Sequence, residues 1–148
     1  SSPVTYLKLK SLPGPDDTSS VIGALMRGDS FWTTGEVLIP RLSVKGAGPD
    51  AKIIADVEWT FPLDFVEIVW GDGETVGRQI VSATNLPPFG KHSFEIPVDL
   101  TGKKWIRFAA WDSASQGAFT QPRRVDPDAT SPDLSDQQKT PVDAAPAP

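Results

Sequence analysis

The sequence predicts an all-β fold: an immunoglobulin-like antiparallel β-sandwich of about seven strands with one short N-terminal helix. From residue 53 to residue 61, every second side chain is apolar and most of the others are polar, as in a strand with one buried and one wet face. Strand-like runs recur about every ten residues, a spacing typical of sandwiches and barrels. Only one segment has helical spacing.

The first predicted element is an extended lead-in arm over residues 1–16. Its apolar side chains are Val4, Tyr6, Leu7 and Leu9, and the segment Leu12-Pro13-Gly14-Pro15 then interrupts any regular structure. We expect this arm to lie against another surface.

The single predicted helix spans residues 18–27. Asp17 or Thr18 can cap its N-terminus, and Gly28 is suited to its C-terminal end. The apolar side chains that share one stripe of the helix are Val21, Ile22, Leu25 and Met26.

The predicted strands lie at residues 35–45, 52–61, 64–71, 74–82, 92–98, 104–111 and 117–125. Between the third and fourth, Asp72-Gly73 is a dipeptide that accepts the positive φ of a hairpin turn. A longer loop with two prolines follows at residues 85–90. The sixth strand is partly apolar on both faces, which predicts a central strand or one covered by another domain.

The sandwich is assigned to residues 17–125, and residues 126–148 are interpreted as a Pro/Asp-rich tail or linker. Five prolines among these last residues, with few large apolar side chains, leave too little material for a core. The tail also carries five aspartates and one lysine, so it holds four of the five net negative charges of the chain.

Charge and composition exclude several classes of partner. A body with a net charge near −1 lacks the basic stripe that phosphate backbones require, so nucleic acid is excluded as a partner. No stretch approaches the length of a membrane span, so no membrane insertion is expected. The absence of cysteine does not fix the compartment, and a secreted or periplasmic location is the working expectation.

Few residues are candidates for chemistry. His92 is the only histidine, no cysteine is present, and Ser30, Ser93 and Thr120 lack a recognisable base or nucleophile elbow. Asp72, Glu74 and Asp112 carry the oxygen ligands that calcium prefers, but their spacing matches no calcium loop, and we interpret them as ordinary turn carboxylates. We therefore predict no catalytic residue, no metal ligand and no cofactor.

Two further features have a functional and a structural interpretation. Arg27-Gly28-Asp29 spells a cell-adhesion tripeptide, yet it falls where the helix is expected to end. Five tryptophans raise the possibility of sugar stacking, which would use Trp32, Trp105 or Trp111. Trp59 and Trp70 are instead predicted to belong to the core.

The order of motifs resembles the C-terminal region of CehA/McbA-like proteins, which are metallohydrolases of the polymerase-and-histidinol-phosphatase superfamily. The segments that carry the resemblance are residues 25–40 (LMRGDSFWTTGEVLIP), 66–73 (VEIVWGDG), 105–112 (WIRFAAWD) and 118–122 (AFTQP). A weaker similarity to polycystic-kidney-disease-type modules involves Trp70-Gly71-Asp72-Gly73 and His92-Ser93-Phe94. Both resemblances imply an immunoglobulin-like domain.

The first resemblance also implies a function. In that family the metal ligands belong to an α/β barrel N-terminal to this region, so no catalytic residue carries over to this chain. The expected role is a non-catalytic accessory domain that packs against a metallohydrolase catalytic domain or another protein. Its candidate interaction residues are Tyr6, Leu9, Trp32, Trp105, Arg107 and Trp111. The alternatives are a carbohydrate-binding module that uses surface tryptophans and, in a third interpretation, a hydrolase in its own right.

Overall fold

The computed structural model describes residues 3–125, which fold into ten β-strands and one α-helix. The helix is α1 (Thr18–Arg27). The strands are β1 (Val4–Leu7), β2 (Ser30–Thr33), β3 (Val37–Lys45), β4 (Ala51–Trp59), β5 (Leu63–Gly71), β6 (Val76–Ser82), β7 (Gly90–Val98), β8 (Trp105–Asp112), β9 (Gly117–Thr120) and β10 (Arg123–Arg124).

The strands form two antiparallel sheets that pack face to face. The large sheet has seven strands in the order β1-β2-β9-β8-β5-β6, with β10 paired to β8, and the small sheet has the order β3-β4-β7. Between β3 and β9 the chain forms hairpins within each sheet and crosses between the sheets after β4, β6 and β7. This is the Greek-key arrangement of immunoglobulin-like sandwiches, so the predicted fold class is confirmed.

All seven predicted strand segments contain a strand, and two short strands, β1 and β2, add to them. β1 and β2 form an antiparallel pair, with Val4 opposite Thr33 and Leu7 opposite Ser30, and β2 continues the sheet from β9. The predicted strand over 117–125 is divided, because β9 ends at Thr120 and Arg123 resumes pairing on β8. The part of the lead-in arm that forms β1 therefore lies against β2, as an added strand of the large sheet.

The predicted helix is present and has caps at both ends. The Asp17 carboxylate accepts a hydrogen bond from the backbone N–H of Ser20 at 3.2 Å, and Gly28 adopts a left-handed conformation with φ of 71°. The apolar stripe of this helix does not pack into the core. Ile22, Leu25 and Met26 are exposed, Met26 by 85%, and only Ala24 is fully buried.

The core lies between the two sheets. Its largest fully buried side chains are Phe108, Ile53, Ile68, Ile106, Val37, Val57 and Val66. Trp59 is buried among them, and Trp70 packs against this cluster from its margin. The buried alternation predicted for residues 53 to 61 ends one step early, because Phe61 lies beyond the end of β4 and is 52% exposed. The predicted tail, residues 126–148, lies outside the described residues.

Candidate functional site

The strand β8 has two apolar faces, and only one of them forms the core. Ile106, Phe108 and Ala110 point toward the small sheet and are buried. Trp105, Arg107, Ala109 and Trp111 alternate with them and therefore point away from it. We call this second side of the large sheet the outer face. The cross-strand partners of these four residues belong to the same face. They are Gly71, Val69, Glu67 and Phe65 on β5, and Phe119 and Gly117 on β9.

An aromatic pair joins two strands on the outer face. Trp32 of β2 lies opposite Phe119 of β9, and their rings stack with centroids 5.0 Å apart. The Arg107 guanidinium lies over the same Phe119 ring, 5.4 Å from its centroid. Because β9 lies between β2 and β8, the Phe119 ring has Trp32 on one side and Arg107 on the other.

A carboxylate lies at the centre of the outer face. Glu67 is only 7% exposed although it points away from the core. Its Oε1 accepts a hydrogen bond from Trp111 Nε1 at 3.2 Å, and its Oε2 lies 3.7 Å from Arg78 Nη1. A buried carboxylate needs such partners, because burial removes its hydration. Glu67 therefore fixes the indole of Trp111 on the sheet.

Two tryptophans of the outer face lie over glycines on neighbouring strands. A Cβ at Gly71 would lie 2.3 Å from the Trp105 indole, and a Cβ at Gly117 would lie 2.5 Å from the Trp111 indole. Each glycine is the cross-strand partner of its tryptophan. The missing side chains let the indoles approach the backbone closely. The outer face is thus a packed aromatic layer.

The aromatic layer remains partly exposed to solvent. Its members are Trp32, Phe65, Trp105, Arg107, Trp111 and Phe119, each half-buried. Toward the β6 edge the apolar surface continues into Val76 and Ile80, which are exposed. The term aromatic layer refers to these six residues.

Four of the six candidate interaction residues lie in the aromatic layer: Trp32, Trp105, Arg107 and Trp111. Tyr6 does not. It stacks on Phe31, with centroids 5.2 Å apart, on the opposite side of the β1-β2 pair. Leu9 follows the end of β1 and is half-buried. These two residues therefore do not share a surface with the other four.

Three members of the site escaped sequence reasoning. Phe65, Glu67 and Phe119 reach the outer face through cross-strand pairing with Trp111, Ala109 and Trp32. Register of this kind is a long-range property and no local pattern encodes it. The available signal was the alternation within 65–69, where two of three outward positions are apolar.

The other candidates for chemistry are dispersed. Asp72 and Asp112 lie at opposite ends of the antiparallel pair β5-β8, which places them roughly 25 Å apart at about 3.3 Å per residue. Three backbone and side-chain donors on Glu74 and Thr75 hydrogen-bond Asp72 and hold its pKa well below the usual value. His92 is exposed on the small sheet and contacts Phe94 edge-on. Over residues 3–125, no group of three potential metal ligands is present.

The Arg27-Gly28-Asp29 tripeptide forms the end of α1. Arg27 Nε donates to Asp29 Oδ2 at 2.9 Å, so the two charged side chains bind each other. The Gly28 N–H bonds the carbonyl oxygen of Leu25, as in a helix C-cap. The structural interpretation of this tripeptide accounts for its geometry.

No protein-family model, curated protein or solved structure matches the chain. Within the described part of the chain, neither α1 nor the short 3₁₀ helix Gly48–Asp50 has the length and apolarity needed to cross a membrane.

Proposed function

We propose that this domain is a non-catalytic accessory β-sandwich that packs, through the aromatic layer, against the catalytic domain of a metallohydrolase. The observation that carries the proposal is a second apolar face on a sheet whose first face already forms the core. An antiparallel sheet in an isolated domain usually has one dry face and one wet face. An additional apolar face is typical of a surface that another protein covers.

The composition of the aromatic layer supports a protein partner. Interfaces are enriched in tryptophan, phenylalanine and arginine, and their centres are depleted of unpaired charge. Here Glu67 is bound by Trp111 and Arg78. Arg107 is half-buried on this face, and its charge would pair with a carboxylate of the partner.

The metallohydrolase part of the proposal depends on the motifs that resemble CehA/McbA-like proteins. Three of the four segments contain β2, β8 and β9, which are neighbours in the large sheet. Their outward side chains include Trp32, Trp105 and Phe119. The segments that carry the resemblance therefore contribute side chains to the face that we assign to docking. The dispersal of His92, Asp72 and Asp112 supports a role without catalysis.

Calorimetric titration of this chain with a separately produced CehA/McbA-like catalytic domain tests the proposal. We expect saturable binding by the wild type and loss of binding by the double variant Trp32→Ser and Phe119→Ser. The matched control is Lys91→Ser and Ser93→Ala, two exposed positions on the small sheet, which should bind as the wild type does. Absence of binding, or equal binding by both double variants, would contradict the proposal.

A carbohydrate-binding module is the second candidate, because Trp32, Trp105 and Trp111 share one sheet face and remain partly exposed. The geometry favours it less. Phe119 is flanked by Trp32 and Arg107, and the Trp111 N–H is engaged by Glu67. Titration with soluble polysaccharides decides the matter, since failure to bind any of them removes this candidate. Turnover of a phosphoester or ester by this chain with a divalent metal would instead support a hydrolase.

A further inference from the structure

A groove opens on the side of the sandwich away from the aromatic layer. The large sheet is wider than the small one: β3 faces β8 and β9, and the sheet continues past this edge into β2 and β1. The space left between β1-β2 and β3 is a groove of about 260 Å³. Its apolar walls are formed by Tyr6, Phe31, Leu38, Ile39, Pro40 and Leu42.

The groove also has a polar end, which is formed by Arg123. Arg123 Nη1 donates to the carbonyl oxygen of Leu42 at 3.0 Å, but its buried Nε has no partner in the described part of the chain. A buried donor without an acceptor is costly, and most native structures avoid it.

The charges around the polar end do not balance. The nearest carboxylate, Asp29, has one oxygen 3.9 Å from Arg123 Nη2, while its other oxygen is held by Arg27 at 2.9 Å. Lys8 also lines the groove. Burial lowers the pKa of Arg123, and the charge of Asp29 offsets this effect only in part. The charge of Lys8 also acts on the carboxylate of Asp56, so the positive charge that a bound anion would neutralise is that of Arg123.

The edge of β3 is poorly suited to pairing with an added strand. Pro40 lacks the N–H that a ladder needs, and the register of β3 on β4 shifts between Leu38 and Arg41. Both features are typical of protected sheet edges. A groove of this volume is also slightly smaller than most drug-sized pockets, which measure about 300–1,000 Å³. A small molecule therefore fits this groove better than a peptide strand does.

We propose that the groove binds a small monocarboxylate with an apolar body. The carboxylate binds the Arg123 guanidinium, which lines the groove and whose Nη2 has the Asp29 carboxylate no closer than 3.9 Å. The apolar body lies along the stacked pair Tyr6–Phe31 and against Leu38. This site is independent of the docking proposed for the aromatic layer, since the two surfaces lie on opposite sides of the β1-β2 pair.

Titration of the full chain with octanoate, followed by amide NMR shifts, tests the proposal. We expect a dissociation constant of about 1 mM or below, a range reasonable for so small a ligand. Shift changes should concentrate at residues 6–8, 29–31, 38–42 and 120–123. The uncharged analogue 1-octanol should bind about tenfold more weakly, since a charge-assisted hydrogen bond is lost. Phenylacetate, run in parallel, distinguishes an aliphatic from an aromatic preference.

Two variants sharpen the result. Arg123→Gln should weaken octanoate binding about tenfold, whereas Arg124→Gln, an exposed neighbour that does not line the groove, should leave it unchanged. If Arg123→Gln fails to fold, Leu38→Trp should block binding by filling the groove. Two results with the wild-type chain, for which no variant is needed, would overturn the proposal. They are equal affinity for octanoate and octanol, and shift changes confined to the aromatic layer.

Discussion

The two outer faces of this sandwich differ sharply in chemistry. On the small sheet, Arg41 pairs with Asp56 at 2.8 Å and Lys52 pairs with Glu95 at 3.4 Å, and most of these side chains are well exposed. On the large sheet the corresponding surface is the aromatic layer, with Glu67 buried beneath it. Exposed ion pairs contribute little to stability, whereas a packed aromatic layer contributes much. One outer face is thus charged and wet, and the other is apolar and packed.

The largest expected effect is on Trp111. Trp111→Ala removes an indole packed on Gly117 and leaves Glu67 without one of its partners, so we expect a loss of about 3 kcal/mol in the free energy of unfolding. The control Lys91→Ala, exposed on the small sheet, should change it by less than about 0.5 kcal/mol. Urea unfolding followed by circular dichroism measures both. Losses of equal size would erase the distinction between the two faces.

Gly71 provides the second test. Gly71→Ala would force a Cβ into the Trp105 indole, and overpacking of this kind costs about 2 kcal/mol. Gly14→Ala is the matched control, because nothing lies within 4 Å of its Cβ position and its φ is not positive. Adding Trp105→Ala to Gly71→Ala should recover part of the loss, and the double-mutant cycle should show a coupling above about 1 kcal/mol. A cycle without coupling would mean that the indole does not lie over Gly71.

A third prediction concerns the hairpin between β5 and β6 in the large sheet. Hydrogen bonds from Thr75 and Glu74 lower the pKa of Asp72 in the folded state. The ionised group therefore stabilises the fold above the unfolded pKa of about 4, and this contribution disappears as the pH falls through the lower folded value. Asp72→Asn should reduce the urea midpoint at pH 7, and the deficit should shrink as the pH falls below about 4. Glu74→Gln, at the exposed tip of the same turn, is the control. A deficit that stays constant with pH would contradict this account.

The smallest effect is expected on the small sheet. A double-mutant cycle on Lys52 and Glu95 should give a coupling of about 0.5 kcal/mol or less, because both side chains are largely exposed. The coupling should fall further in high salt, which screens exposed charges. A coupling as large as the one between Gly71 and Trp105 would remove the energetic difference between the two faces.

The fold was largely accessible from the sequence. Period-two alternation over residues 53–59 and Asp72-Gly73 at the hairpin are local signals, and Gly28 ends the helix in the conformation that glycine allows. The strands that escaped prediction, β1 and β2, are four residues each and are stabilised by pairing with other strands. The apolar stripe of α1 does not pack into the core. Periodicity identifies the apolar side of a helix but not what covers that side.

The site was accessible only in part. The alternation in β8 pointed to Trp105, Arg107 and Trp111 as members of one face, and the structure places them there. The remainder depended on contacts between distant strands. Phe119 contacts Trp32 through the pairing of β2 with β9, and the Trp105 indole occupies the space that a side chain at position 71 would need. Tyr6 was grouped with these residues by its apolar character, although the pairing of β1 turns it to the other side.

Amide hydrogen exchange of this chain, free and in the presence of the catalytic domain, tests the central claim most directly. We expect added protection in residues 30–33, 65–71, 105–111 and 117–120, whose outward side chains form or adjoin the aromatic layer. The strands of the small sheet, residues 37–45, 51–59 and 90–98, should exchange at unchanged rates. Protection of the small sheet instead, or no protection anywhere at saturating partner, would contradict the account.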